Sequence, residues 1–97
     1  MQVQIGNFGV VSDASVTCVA ATAKQLLPTT TNCNEVWLTN LTGNDLFIGL
    51  GNTVTNAIYN IKLAAGAFQP ITCSGTFAQN LWAYSVGGGD VRVAVLN

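Results

Sequence analysis

Residues 80–96 read NLWAYSVGGGDVRVAVL. Two apolar stretches, Asn80–Val86 and Val91–Leu96, flank Gly87-Gly88-Gly89-Asp90. Side chains on a strand alternate faces with a period of two. Glycine supplies the positive φ angles that a tight reversal demands. The stretch therefore predicts a hairpin in which Val86 faces Val91, Tyr84 faces Val93 and Trp82 faces Val95. All six then share one face, assigned to the core, and Arg92 falls on the other.

A second hairpin is predicted upstream. Glu35–Leu41 and Leu46–Leu50 flank Thr42-Gly43-Asn44-Asp45. Pairing Leu41 with Leu46 puts Trp37, Thr39, Leu41, Leu46, Ile48 and Leu50 on one face. The other carries Val36, Leu38, Asn40, Phe47, Gly49 and Gly51. Antiparallel strands with one wet face usually alternate cleanly between apolar and polar residues. Here both faces are apolar, so one meets the core and the other needs cover. The face from Trp37 to Leu50 is the candidate oligomer or partner interface.

Further strands are expected near Val16–Ala20, Ala23–Leu27, Val54–Thr55, Ile61–Ala64 and Phe68–Thr72. Pro70 cannot donate to a ladder, which argues against a central place for the last. Helical periodicity is nearly absent, and turn residues recur at the spacing of a sandwich or barrel. The expected fold is an all-β, antiparallel, jelly-roll-like sandwich of seven or eight strands. Residues 1–13 are read as an extended N-terminal arm and residues 14–97 as one domain. Val3, Ile5 and Phe8 are the arm's candidate contacts for adding a strand to a neighbour.

The composition limits function. Charged residues make up 7% of the 97-residue chain and hydrophobic residues 49%, against about 25% charged in an ordinary soluble domain. Little charge remains to hydrate the surface or to keep copies apart. Lys24, Lys62 and Arg92 are the only basic residues, too few and too scattered to neutralise phosphates, so no direct nucleic-acid partner is expected. No stretch approaches the roughly 20 apolar residues of a membrane span, so no membrane partner is expected either. The N-terminus lacks the pattern of a secretion signal, which places synthesis in the cytosol.

Catalytic equipment is not evident, and the chain is read as a non-enzyme. There is no histidine, which removes the usual general base and the commonest metal ligand. No catalytic, metal or cofactor site is assigned. The carboxylates Asp13, Glu35, Asp45 and Asp90 read as solvated turn and strand-end charges. Gly49-Leu50-Gly51 is followed by no helix formers and reads as a strand bend rather than a phosphate loop. Asn40-Leu41-Thr42 matches a glycosylation triplet but reads as a turn entry. Cys18 and Cys73 look like small buried hydrophobes and Cys33 like an exposed loop thiol, with no internal disulfide expected. Trp82 and Tyr84 are assigned to core packing; Trp37 is open to an interface role.

From residue 35 onward the chain carries a series of strand and turn motifs: Asn40 closing a strand, Ile48-Gly49 closing a short apolar one, then Val54-Thr55. Leu63-Ala64-Ala65-Gly66, Trp82-Ala83-Tyr84 and the alternating valines Val91 to Val95 complete it. This series resembles a broad group of small β-sandwich structural proteins of tailed bacteriophages, covering head decoration, head-fibre and tail modules. The chain departs from their pattern at Ala57-Ile58-Tyr59-Asn60, where a glycine turn is common. The resemblance implies a virion structural protein, with a capsid decoration protein as the expected form. Its partners would be copies of itself, a trimer being favoured, and the major capsid or another virion protein. It would be made in the host cytoplasm and carried in the virion. The alternative is a carbohydrate- or receptor-binding module of a tail or head fibre.

Overall fold

The computed structural model describes residues 10–27, 31–77 and 81–96, with side chains described at 14–27, 35–72 and 81–96. Eight strands follow in order: β1 (Val10–Cys18), β2 (Lys24–Leu27), β3 (Thr31–Leu41), β4 (Leu46–Gly49), β5 (Ile61–Leu63), β6 (Phe68–Phe77), β7 (Leu81–Tyr84) and β8 (Gly89–Leu96). They form two four-stranded antiparallel sheets, β1-β8-β3-β6 in front and β2-β7-β4-β5 behind. This is the jelly-roll arrangement. The two halves of the chain are wound together, so that β1 meets β8, β2 meets β7, β3 meets β6 and β4 meets β5.

That winding corrects both predicted hairpins. β7 and β8 lie in opposite sheets, as do β3 and β4. The Gly-rich stretch after Tyr84 and the Thr42–Asp45 stretch are corners where the chain crosses the core. Trp82 is therefore not opposite Val95; it pairs with Gln25 and Gly49, while Val95 pairs with Val36 and Ser12. Val91, Val93 and Val95 do face the core, and Arg92 faces out. Trp82, Tyr84 and Val86 take the opposite side from the one assigned. On β7 the inward positions are Leu81 and Ala83, continued by Ser85 just beyond it, and all three are buried.

The core lies between the sheets. From the front come Val36, Leu38, Val91, Val93 and Val95; from the back come Leu27, Leu46, Ile48, Leu63, Leu81 and Ala83. A register shift between Gln25 and Leu27 lets both Leu26 and Leu27 turn inward, as a bulge permits. β6 is an edge strand, which accommodates Pro70. Three other boundaries differ from expectation. Val10–Asp13, assigned to the arm, belong to β1, and Val3, Ile5 and Phe8 lie outside the described residues. Val54–Thr55 is loop rather than strand. Cys33 sits in β3 rather than in a loop.

Four corners gather at one end of the sandwich, and two small polar side chains hold them. Asn40 is fully buried at the inward end of β3. Its Nδ2 donates to the carbonyls of Asn44 at 2.6 Å and Leu63 at 2.9 Å. Its Oδ1 accepts from Thr42 N at 3.0 Å and Thr42 Oγ1 at 2.7 Å. The β3–β4 corner is thereby tied to the end of β5. Ser85, also fully buried, does the same for the other two corners. Its Oγ accepts from Gly88 N at 3.2 Å, and its carbonyl accepts from Ala21 N at 2.8 Å. Gly88 has φ of +73° and no room for a side chain: a β-carbon there would lie 2.8 Å from Ala20 N and Cys18 O.

Each buried polar group left unpaired costs about 1–3 kcal/mol. Asn40→Ala, which strands the Leu63 carbonyl and the Thr42 backbone N–H, is expected to lower unfolding free energy by about 3 kcal/mol in urea denaturation. Gly88→Ala is expected to destabilise the fold as well, through both φ and steric overlap.

Candidate functional site

With the core assigned, the outward positions of the two sheets are what remains for recognition. On the front sheet, outward residues of β3 and β6 form an apolar stripe: Trp37, Leu41, Phe68 and Pro70, with Thr39 between them. Trp37 and Phe68 meet edge to face, ring centroids 5.5 Å apart at 82°, a favourable quadrupolar arrangement. The Trp37 indole N–H donates to Glu35 Oε1, so the ring is held and its orientation set. Leu41 is 55% and Phe68 50% exposed. Beside this stripe, β8 and β1 carry Asp90, Arg92, Ser15 and Thr17 outward, with Thr17 Oγ1 donating to Asp90 Oδ1 at 2.9 Å. The front face is thus apolar toward β6 and polar toward β1.

The back sheet is treated differently. β4 is buried at every position from Leu46 to Gly49. Leu46 and Ile48 face the core, whereas Phe47 and Gly49 point outward and are covered by the chain itself. The loop of residues 50–60 folds back over them. Val54 sits on Gly49, where a β-carbon would lie only 2.9 Å from Val54 Cβ. Tyr59 packs on Phe47 with ring centroids 5.0 Å apart. Asn60 N donates to Ile48 O at 2.8 Å, and Thr55 Oγ1 accepts from Ala57 N and Ile58 N, both at 3.1 Å. An open cavity of about 160 Å³ lies under this loop, bounded by Leu50, Val54, Ile58, Tyr59 and Asn60. It is too small for most ligand sites, which run to roughly 300 Å³ and above.

The six residues assigned to one interface therefore separate. Trp37, Thr39 and Leu41 share the front face; Leu46 and Ile48 are core; Leu50 borders the cavity on the β4–β5 loop. The side of β4 closed by residues 50–60 is that of Phe47 and Gly49, opposite the one assigned to an interface. Sequence reasoning missed the back-sheet strip of Trp82 and Tyr84. Both are half-buried and outward on β7, with Gln25 across from Trp82 and Phe47 across from Tyr84.

Among the described residues no three His, Cys, Asp or Glu side chains gather as a metal site. Glu35 is bonded to Trp37, Asp90 to Thr17, and Asp45 pairs with Lys62 at 3.6 Å on an exposed surface. Cys18 is a buried free thiol at the end of β1. Burial raises its pKa; Lys24 opposes this and Asp90 adds to it. No protein-family model, curated protein or solved structure matches the chain. What fold and surface define is a jelly-roll sandwich whose front sheet carries an apolar stripe left open among the described residues.

Because the Cys18 pKa is raised from 9.0 on folding, its proton is held more tightly in the native state. The associated stability is present below the unfolded value and is lost as pH climbs through the folded one. Thermal melts from pH 8 to 11 are expected to show an alkaline loss in the wild type that is smaller in Cys18→Ala.

Proposed function

We propose that this chain is a structural protein of a bacteriophage virion, namely a capsid decoration protein that self-associates and attaches to the shell through its front sheet. The observation that carries this reading is the open stripe of Trp37, Leu41, Phe68 and Pro70 on a rigid sheet, beside the polar strip of β8. Soluble monomers seldom leave such patches bare. Aromatic anchors flanked by polar groups are the usual anatomy of a protein-binding face. The low charge content supports a surface that spends its life covered. The motif series in residues 35–97 supports a phage context. Jelly rolls serve in viral capsid and lectin domains alike, so the fold alone selects neither.

A second reading has its own observation. Trp82 and Tyr84 stand two residues apart on the outward side of β7, beside Gln25. Rings in such a row can stack on sugar faces, which suits a carbohydrate- or receptor-binding module of a fibre.

The two readings separate experimentally. Purified protein is expected to bind expanded capsids of the phage that encodes it and to raise their melting temperature, and Trp37→Ala with Phe68→Ser is expected to abolish binding without unfolding the chain. Virions that lack the protein by mass spectrometry would overturn the proposal. Glycan binding lost in Trp82→Ala would select the second reading.

A further inference from the structure

We propose that two copies of this chain join along β1, antiparallel about a two-fold axis at Ser15, so that the front sheet runs unbroken from one copy into the next. The inference deepens the self-association in the reading above and commits it to a dimer rather than a trimer.

The argument starts from the four sheet edges. Exposed edges template pairing with other chains, and native proteins blunt them with brevity, lysine, proline or bulges. β2 is four residues long, begins with the exposed Lys24 and carries a register shift. β5 is three residues long and carries Lys62, ion-paired to Asp45. β6 is long but is interrupted by Pro70 and by a shift opposite Cys33 and Glu35. β1 is different. Beyond an irregularity between Val10 and Ser12 it keeps unbroken register with β8 through Cys18, and it contains neither lysine nor proline. Among the described strands it is the one long edge free of lysine and proline, with its register shift confined to the first residues and Asp13 its one charge.

Backbone direction can be followed across the front sheet. Asn40 N donates to Ala67 O, and Asn40 O accepts from Gly66 N, so this residue's backbone groups point toward the β6 side. Antiparallel ladders alternate direction residue by residue. Thr39 and Leu41 therefore point to β8, where they meet Arg92 and Asp90. The intervening Val91 and Val93 point to β1, where they meet Val16 and Ala14. Asp13, Ser15 and Thr17 are left with N–H and C=O groups directed at the open edge.

These three positions choose the partner and the register. Centred on Ser15, antiparallel pairing sets Ser15 against its own copy and Asp13 against Thr17, so no like charges stand directly opposite. Centring on Asp13 would oppose two carboxylates, which is destabilising. Centring on Thr17 would leave Asp13 without an opposite number among the three. On the inward side the Ser15 register sets Ala14 against Val16. Val16 packs on the core rim and is only half-buried in a single copy, and a second β1 would complete its cover. The joined sheets would present both Trp37–Phe68 stripes on one side.

The test is sedimentation velocity of the full chain over a wide concentration range, with Ser15→Lys, Ser15→Cys and Trp37→Ala beside the wild type. Ser15 is exposed in the single copy, so lysine there should leave the circular dichroism and melting of the monomer intact. The expected result is a reversible wild-type dimer that Ser15→Lys weakens by at least about tenfold, because two ammonium groups then oppose each other. Ser15→Cys should form a disulfide-linked dimer on mild oxidation, mapped by peptide mass spectrometry to position 15. Paired residues at about 5.5 Å between α-carbons are within disulfide reach. Trp37→Ala should leave the dimer unchanged. A wild type that stays monomeric, or a dimer indifferent to Ser15→Lys, overturns the inference. Capsid binding is scored separately on the same samples, and its absence with a lysine-sensitive dimer leaves the edge pairing supported.

Discussion

Four chain crossings at one end of a thin sandwich bring backbone polar groups to the rim of an apolar core, and each must find a partner there. Asn40 is the residue on which this condition rests. A single amide offers two donors and two acceptor positions, and in Asn40 all are used, on Thr42, Asn44 and Leu63. No apolar residue of similar size can replace it, because the carbonyls it satisfies belong to the corners themselves. Ser85 repeats the device on a smaller scale with Gly88 and Ala21. Once both corners are held, the two sheets are registered against each other and the core positions follow.

The same corners explain why the two aromatic residues of β7, Trp82 and Tyr84, face outward. Ala83 and Ser85 are fully buried there, next to front-sheet side chains of Leu and Val size. Alternating small and large residues across facing layers is how a thin core reaches native density. Trp82 and Tyr84 do not fit that gap and take the outer side, where neighbours on β2 and β4 flank them. The back sheet is then closed further by the β4–β5 loop, with Val54 on Gly49 and Tyr59 on Phe47. The front sheet has no such covering among the described residues, and its apolar stripe stays open.

Much of this was legible in the residues. The alternation of Val91, Val93 and Val95 placed them inward and Arg92 outward, because period-two patterning reports the wet and dry sides of a strand directly. The missing donor of Pro70 announced an edge, and the apolar surroundings of Cys18 announced burial. The open side of β3, with Trp37, Thr39 and Leu41, was readable in the same way. The Trp82–Tyr84 strip was not readable. Its burial side depends on the size of residues across the core, and that is not a property of the strand itself.

By itself the sequence determined that the chain is built of strands, that they pair antiparallel in a sandwich, and where most of the turns fall. Only the tertiary structure decided which strands are neighbours. A tight hairpin and a corner between sheets share the same local signals: glycine or asparagine at the turn and alternating residues on either side. They differ in whether the two arms bond to each other or to strands dozens of residues away. Ladder hydrogen bonds form equally well in both cases, so the choice falls to core volume and to the buried Asn40 amide and Ser85 hydroxyl, which bond across the corners.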